Sequence, residues 1–137
     1  ELEKAAAFAA DFLAGKSMTN PTGWTTHHWV YFLRKMPAKL SLAQMQDLDQ
    51  RFKFTESGNS EILCQWLELS IRSNYTVADP ALEKFLTSVG RRKFLRPLYS
   101  ALVETPQGRE KAKAIYLKAR PGYHSVSAGS IDEMLRN

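Results

Sequence analysis

Asn59-Ser60-Glu61-Ile62-Leu63-Cys64-Gln65-Trp66-Leu67-Glu68-Leu69-Ser70-Ile71-Arg72-Ser73-Asn74 is the stretch that decides the fold class. Glu61, Gln65, Glu68 and Arg72 recur at i, i+4, i+7 and i+11, a narrow polar stripe at helical period. Ile62, Leu63, Cys64, Trp66, Leu67, Leu69 and Ile71 fill almost everything else. A helix apolar around most of its circumference is packed on two sides, so this one is central. Asn59 is placed to cap it. Glu68 and Arg72 are spaced for a surface ion pair of about 0.2–0.5 kcal/mol. Glu61 and Glu68 read as the solvated edge of the helix in preference to a catalytic acid and base. Cys64 sits between Leu63 and Trp66 and reads as a buried structural thiol.

Working outward, the same period recurs. Trp29, Phe32, Leu33 and Met36 form a core stripe in a helix from His27 to Met36, with Thr25 or Thr26 as cap and Pro37 as stop. Before it, Glu1–Ala14 reads as a helix closed by Gly15. No capping residue precedes Glu1, and so abrupt a start reads as a segment cut from a longer chain. Ser41-Leu42-Ala43-Gln44 is a capping box opening a helix to Phe52, with Leu42, Met45 and Leu48 inward. Residues 55–58 read as loop. Downstream, Asp79-Pro80 and Thr105-Pro106 are cap-plus-proline signals. The first opens a helix that Gly90 closes, and the second a helix to Ala119, ended by Pro121-Gly122. Ser125 or Ser127 is the expected cap of a last helix ending in Met134 and Leu135. No stretch alternates at period two between hairpin turns. The fold class is therefore all-α: helices joined by short loops, either a bundle or a helical-hairpin solenoid, with no exact repeat visible.

At 137 residues the chain reads as one domain, able to bury a core without disulfides. The single cysteine has no partner for an internal disulfide. No apolar run reaches the ~20 residues that span a bilayer, and acidic residues flank Ala5–Ala10, so it is no signal segment. The absence of secretion features points to the cytoplasm. Nineteen Lys and Arg against 14 Asp and Glu leave a formal charge of +5. That excess favours anionic partners without identifying one.

The positive charge concentrates in Gly90-Arg91-Arg92-Lys93-Phe94-Leu95-Arg96-Pro97-Leu98-Tyr99, with four cations within six residues. Such a run fits an anion grip or a solvated corner. Pro97 belongs in a first helical turn or at a kink, with Leu95, Leu98 and Leu102 as the buried edge. Catalytic patterns are missing: there is no His-Glu-x-x-His, no Cys-x-x-Cys, no Gly-rich phosphate loop and no Gly-x-Ser-x-Gly. His27 and His28 are adjacent, point about 100° apart on a helix and share no metal face. His124 stands alone and reads equally as a helix cap or a core residue. Without a nucleophile or base and its orienting partner, this chain is not a catalyst by itself.

Four segments in register carry a family resemblance. Trp24-Thr25-Thr26-His27-His28-Trp29-Val30-Tyr31-Phe32-Leu33, Asn59-Ser60-Glu61-Ile62 with Trp66-Leu67 and Ile71, and Gly90-Arg91-x-Lys93-Phe94-x-Arg96-Pro97-Leu98 resemble helices of one known domain. It is the C-terminal domain of the leukotriene A-4 hydrolase and aminopeptidase B family of zinc metallopeptidases. His124 falls where that domain has His-Pro-Val, with Ser125 in place of the proline. The first helix matches only in type.

The resemblance implies a two-layer, armadillo- or HEAT-like right-handed superhelix of about seven to nine helices. It implies that residues 1–137 form a single C-terminal domain that packs against an upstream catalytic domain of the same chain and closes one side of its cleft. Zinc and the catalytic glutamate would lie upstream, with no cofactor in this segment. The parent would be a zinc aminopeptidase, with lipid epoxide hydrolysis a further activity open to the family. Carried over by position, Arg91 and Lys93 would bind the carboxylate of a short peptide substrate. Arg96 matches the pattern too and is a candidate for a structural ion pair. Two other readings stand beside this one. The first is a stand-alone helical-repeat interaction module that takes a peptide or helix in its groove. The other is a nucleic-acid binder using the basic run and the Lys-rich helix from Arg109 to Lys118. Trp24, Trp29 and Trp66 lie on apolar faces, away from those charges, which ranks the nucleic-acid reading last and makes neither nucleic acid nor membrane the expected partner.

Overall fold

A computed structural model describes residues 2–136. Glu1, the expected first residue of the first helix, lies outside the described residues. Eight α-helices follow one another: α1 (Leu2–Leu13), α2 (Thr26–Arg34), α3 (Leu42–Phe52), α4 (Ser60–Arg72), α5 (Asp79–Ser88), α6 (Arg92–Leu102), α7 (Pro106–Ala119) and α8 (Ser125–Leu135). Short 3-10 turns at Phe54–Glu56, Thr76–Ala78 and Arg120–Gly122 join some of them, and the described residues contain no strand.

Local signals set most of the boundaries. Gly15 takes φ 76° and ends α1 as a left-handed stop. The Ser41 hydroxyl accepts from the Gln44 amide while the Gln44 side chain accepts from the Ser41 amide, closing a capping box. The Asn59 carboxamide oxygen accepts from the amides of Glu61 and Ile62, and the Thr105 hydroxyl accepts from Gly108.

Other boundaries differ from expectation. Gly90 is no left-handed stop; α5 ends at Ser88 and Val89 runs extended, with φ −106° and ψ 130°. Asp79 is already helical, with Ala78 ahead of it at the cap, and its carboxylate bonds Lys111 instead. Pro97 lies in the second turn of α6, where it brings no N–H to the Lys93 carbonyl. His124, not a serine, caps α8 by accepting from the Val126 amide at 3.2 Å. Leu42 is 57% exposed while Met45 and Leu48 are fully buried, because position 42 opens its helix beside the cap. Thr55, expected in loop, lies in a 3-10 turn and in a partly buried network: it receives the Trp66 indole N–H and donates to Asp49, which also accepts from the Tyr75 hydroxyl.

The packing follows a repeat. The starts of α2, α4, α6 and α8 fall at 26, 60, 92 and 125, steps of 34, 32 and 33 residues. α2 packs on α4, α4 on α6 and α6 on α8, forming one layer. α5 packs on α7 in the second layer, and α7 also touches α6 and α8 across the layers. This is the two-layer helical-hairpin solenoid, with α4 flanked on both sides. Trp66 and Leu67 of α4 and Leu95, Leu98 and Tyr99 of α6 are wholly buried between these layers. Rings of Phe8, Trp24, Trp29, Phe32, Phe52 and Phe54 continue the core toward α1.

The α6–α7 corner is the tightest point. A Cβ added at Gly108 would stand 2.1 Å from the Leu102 carbonyl oxygen, in the backbone of the preceding helix. Gly108→Ala should therefore cost about 1–3 kcal/mol of stability by overpacking. Gly129→Ala, inside α8 with open space around it, should gain up to about 1 kcal/mol from helix propensity. Urea denaturation of the two variants checks both signs, and a neutral Gly108→Ala would contradict the close approach.

Candidate functional site

The basic run wraps the start of α6. Arg91 is the residue ahead of the first turn, Arg92 and Lys93 are the first two helical residues, and Arg96 follows one turn later. An arginine side chain has no acceptor, so it cannot cap a helix. Arg91 makes no capping bond, and no acidic residue occupies the first turn. Three cations thus stand at the positive end of a helix dipole, each opposed by roughly 0.3–1 kcal/mol when exposed. An anion placed there is favoured by the dipole, by the first-turn amides and by the side-chain charges together.

The four cations are not equivalent, although all are exposed. The Lys93 ammonium lies 2.6 Å from Glu61 Oε2, joining α6 to the first turn of α4. The Arg91 guanidinium carbon is 5.8 Å from the Phe94 ring centroid, and Lys93 Nζ is 5.0 Å from the same centroid. Both long side chains therefore lie over one aromatic ring. No carboxylate among the described residues lies within ion-pair distance of Arg91, Arg92 or Arg96, so the structural pair expected of Arg96 is not found.

Glu61 is where the elements converge. Its backbone is fixed by the Asn59 cap, and Asn59 in turn donates to the Thr26 hydroxyl of α2 at 2.8 Å. The hydrogen bond from Lys93 holds the Glu61 carboxyl below its usual value of 4.5, and the charges of Arg91 and Arg34 act in the same direction. Beneath it, burial pushes the Cys64 thiol up to about 12, and its S–H donates to the Phe94 carbonyl. That thiol is structural and is no nucleophile at neutral pH.

The α4 stripe continues as a polar row linking three helices and the corner after α6. Arg34 Nε donates to Gln65 Oε1 at 3.0 Å, and Arg72 bonds both Glu68 and Glu104. The structure brings Arg91 and Lys93 together beside Glu61. It leaves Arg92 and Arg96 outside that contact. Glu61, taken from sequence as a solvated edge residue, is the partner of Lys93 that sequence reasoning missed. The helical spacing of 32 residues that brings them together becomes visible only once the repeat is seen. Two of the three lysines of α7, by contrast, face acids of α5: Lys111 bonds Asp79 and Lys118 bonds Glu83.

Among the described residues, no group of three His, Cys, Asp or Glu side chains is arranged to hold an ion. His28 Nδ1 is used at the start of α2, accepting from the Thr25 amide. Among the described residues, no helix is long and apolar enough to cross a membrane.

A protein-family model described as "Leukotriene A4 hydrolase, C-terminal" matches residues 24–135. Leukotriene A-4 hydrolase of Xenopus laevis is 32% identical over 88 residues, covering 64% of this chain and 14% of that protein. Leucine aminopeptidase 2 of Neurospora crassa is 28% identical over 122 residues, 87% of this chain and 18% of the relative. Aminopeptidase B of Mus musculus is 26% identical over 116 residues, 82% of this chain and 18% of the relative. The chain therefore spans less than a fifth of the length of these relatives.

The Lys93–Glu61 pair has a pH signature. A carboxyl held low in the folded chain contributes stability that is present above its ordinary value of 4.5 and lost as pH falls through the depressed folded-state value. Lys93→Met should move the Glu61 midpoint back up toward 4.5, as read from the side-chain carboxyl carbon in an NMR titration. An unmoved midpoint would show that Lys93 does not hold Glu61 in solution.

Proposed function

The chain belongs to the leukotriene A4 hydrolase C-terminal family, and from that premise we propose that it is the non-catalytic C-terminal domain of a zinc aminopeptidase. In this reading residues 1–137 form one domain, with a catalytic domain upstream in the same chain. The helical domain closes one side of the active-site cleft and holds the carboxylate end of a short peptide through Arg91 and Lys93. The observation that carries the reading is the uncapped, cation-rich start of α6, where Arg91 has no acidic partner among the described residues. The names of the relatives support it from the other side, since aminopeptidases act on peptide ends.

The chemistry divides accordingly. Arg91 presents a planar fork that holds a carboxylate bidentately and stays charged at any working pH. Lys93 adds a point charge beside it. Fixing the far end of a peptide places its first peptide bond at the reacting centre without a further entropic cost. A zinc ion supplies polarisation of the scissile carbonyl and a reactive water when bound. Among the described residues no donor set fits it, and in this reading its ligands and the catalytic base lie upstream. Whether a lipid epoxide is also accepted is decided in that upstream cleft. A cytoplasmic setting fits a chain whose one cysteine is free and buried.

The test is made on the full-length gene product loaded with zinc. Arg91→Ala should raise KM for an Arg- or Ala-initiated tripeptide about 10- to 100-fold, the loss of one charge-assisted contact. The same peptide with a C-terminal amide should change little. Equal losses on the two substrates would count against carboxylate recognition by Arg91.

A further inference from the structure

We infer that Ser127 is a positioning residue for Arg91: from the first turn of α8 its hydroxyl holds the peptide that carries Arg91, and so sets where the guanidinium meets a substrate carboxylate. The inference rests on the reading of Arg91 as a carboxylate ligand and adds to it the residue that places that ligand.

Residues 89–91 link the end of α5 to the start of α6. Val89 and Arg91 are both extended, and Gly90 between them is exposed and brings no side chain to pack. A Cβ placed on Gly90 would meet nothing within 4 Å. A glycine in open space leaves such a link free to turn. The Ser127 hydroxyl removes that freedom by donating to the Gly90 carbonyl at 3.2 Å. Among the described residues, it is the one hydrogen bond that residues 89–91 receive from outside α5 and α6. The Gly90 carbonyl, the Arg91 amide and the Arg91 Cα belong to one planar unit. A bond to that oxygen therefore fixes where the Arg91 side chain leaves the backbone. On its other side, the Arg91 carbonyl is held by the amides of Phe94 and Leu95.

Ser127 does not behave as an ordinary helical serine. Such a side chain commonly donates to a carbonyl one turn back, and Ser130 of the same helix does so, to Val126 at 3.3 Å. Ser127 reaches across to the α5–α6 link instead, and it is 5% exposed. The helix that presents it is fixed at its start, where His124 caps the Val126 amide, and along its length, where α8 packs on α6. Four residues earlier, the Tyr123 hydroxyl donates to the Leu86 carbonyl at 2.5 Å. The approach to α8 thus lays two hydroxyls on the α5–α6 corner, one inside α5 and one directly ahead of Arg91. Only the second touches the peptide of Arg91. Because Gly90 is exposed, water can take the place of a lost hydroxyl there, so the loss falls on placement more than on stability.

The measurement is kcat/KM of the zinc-loaded full-length gene product for Arg-Ala-Ala as the free acid, relative to its C-terminal amide. Ser127→Ala should lower that ratio about three- to tenfold, the loss of one neutral hydrogen bond expressed as a change in an equilibrium constant. The fall should lie in KM for the free acid, with kcat held within about twofold. Ser127→Thr keeps the hydroxyl and should return the ratio to within about twofold of the parent. Tyr123→Phe is the control for a bond that is only structural: it should lower the melting temperature and leave the ratio in place. A smaller folded fraction lowers both substrates together and does not move the ratio. An unchanged ratio in Ser127→Ala, no rescue by Ser127→Thr, or an equal fall in Tyr123→Phe overturns the inference. Arg91→Ala tells the two possible failures apart. If it collapses the ratio while Ser127→Ala does not, only the role of Ser127 fails. If it lowers acid and amide alike, the carboxylate reading fails and the role of Ser127 falls with it.

Discussion

The structure depends on α4 having a helix against each flank. Trp66 and Leu67 are fully buried, and Cys64 and Leu69 are nearly so. No single partner helix can cover a surface that wraps most of the way round. α2 takes one flank and α6 the other. Once those two are in place, the polar stripe Glu61–Arg72 is left along an edge that reaches water. It is therefore the edge along which charged residues of neighbouring helices meet.

The candidate site follows from that arrangement. Because α2, α4 and α6 start one repeat apart, the first turn of α6 sits beside the first turn of α4. Cations at the start of one helix face an acid at the start of the next. The Lys93–Glu61 pair is half-exposed and adds little to stability in water. Its interest lies in the field it sets around Arg91, which it leaves without a partner of its own. Three cations at a helix N-terminus stand against the dipole, and an anion placed there would be favoured by both.

Much of the fold was legible in the sequence because caps and helical stripes are local. Asn59, Ser41, Thr105 and Gly15 each act where local chemistry puts them. What was misread depended on packing. Pro97 stands in a helical second turn, against a propensity cost of about 3 kcal/mol. Leu95, Leu98, Tyr99 and Leu102 around it are all at most 1% exposed, and burying that set outweighs the lost bond. The repeat was hidden since its units share a spacing of apolar positions and almost no identities. Arg91 and Lys93 were visible as charge and as motif. Glu61 was visible only as a stripe residue, because its partner lies 32 positions away.

The repeat also says something about how quickly such a chain can find its shape. Hydrogen bonds made by its described side chains reach at most 37 residues along the sequence, and the longest ring contact, Phe8 with Phe52, reaches 44. Each helix waits only for its neighbours in the array, so loop-closure entropy is met in short instalments. Low contact order of this kind goes with fast folding that can begin at any hairpin and spread outward.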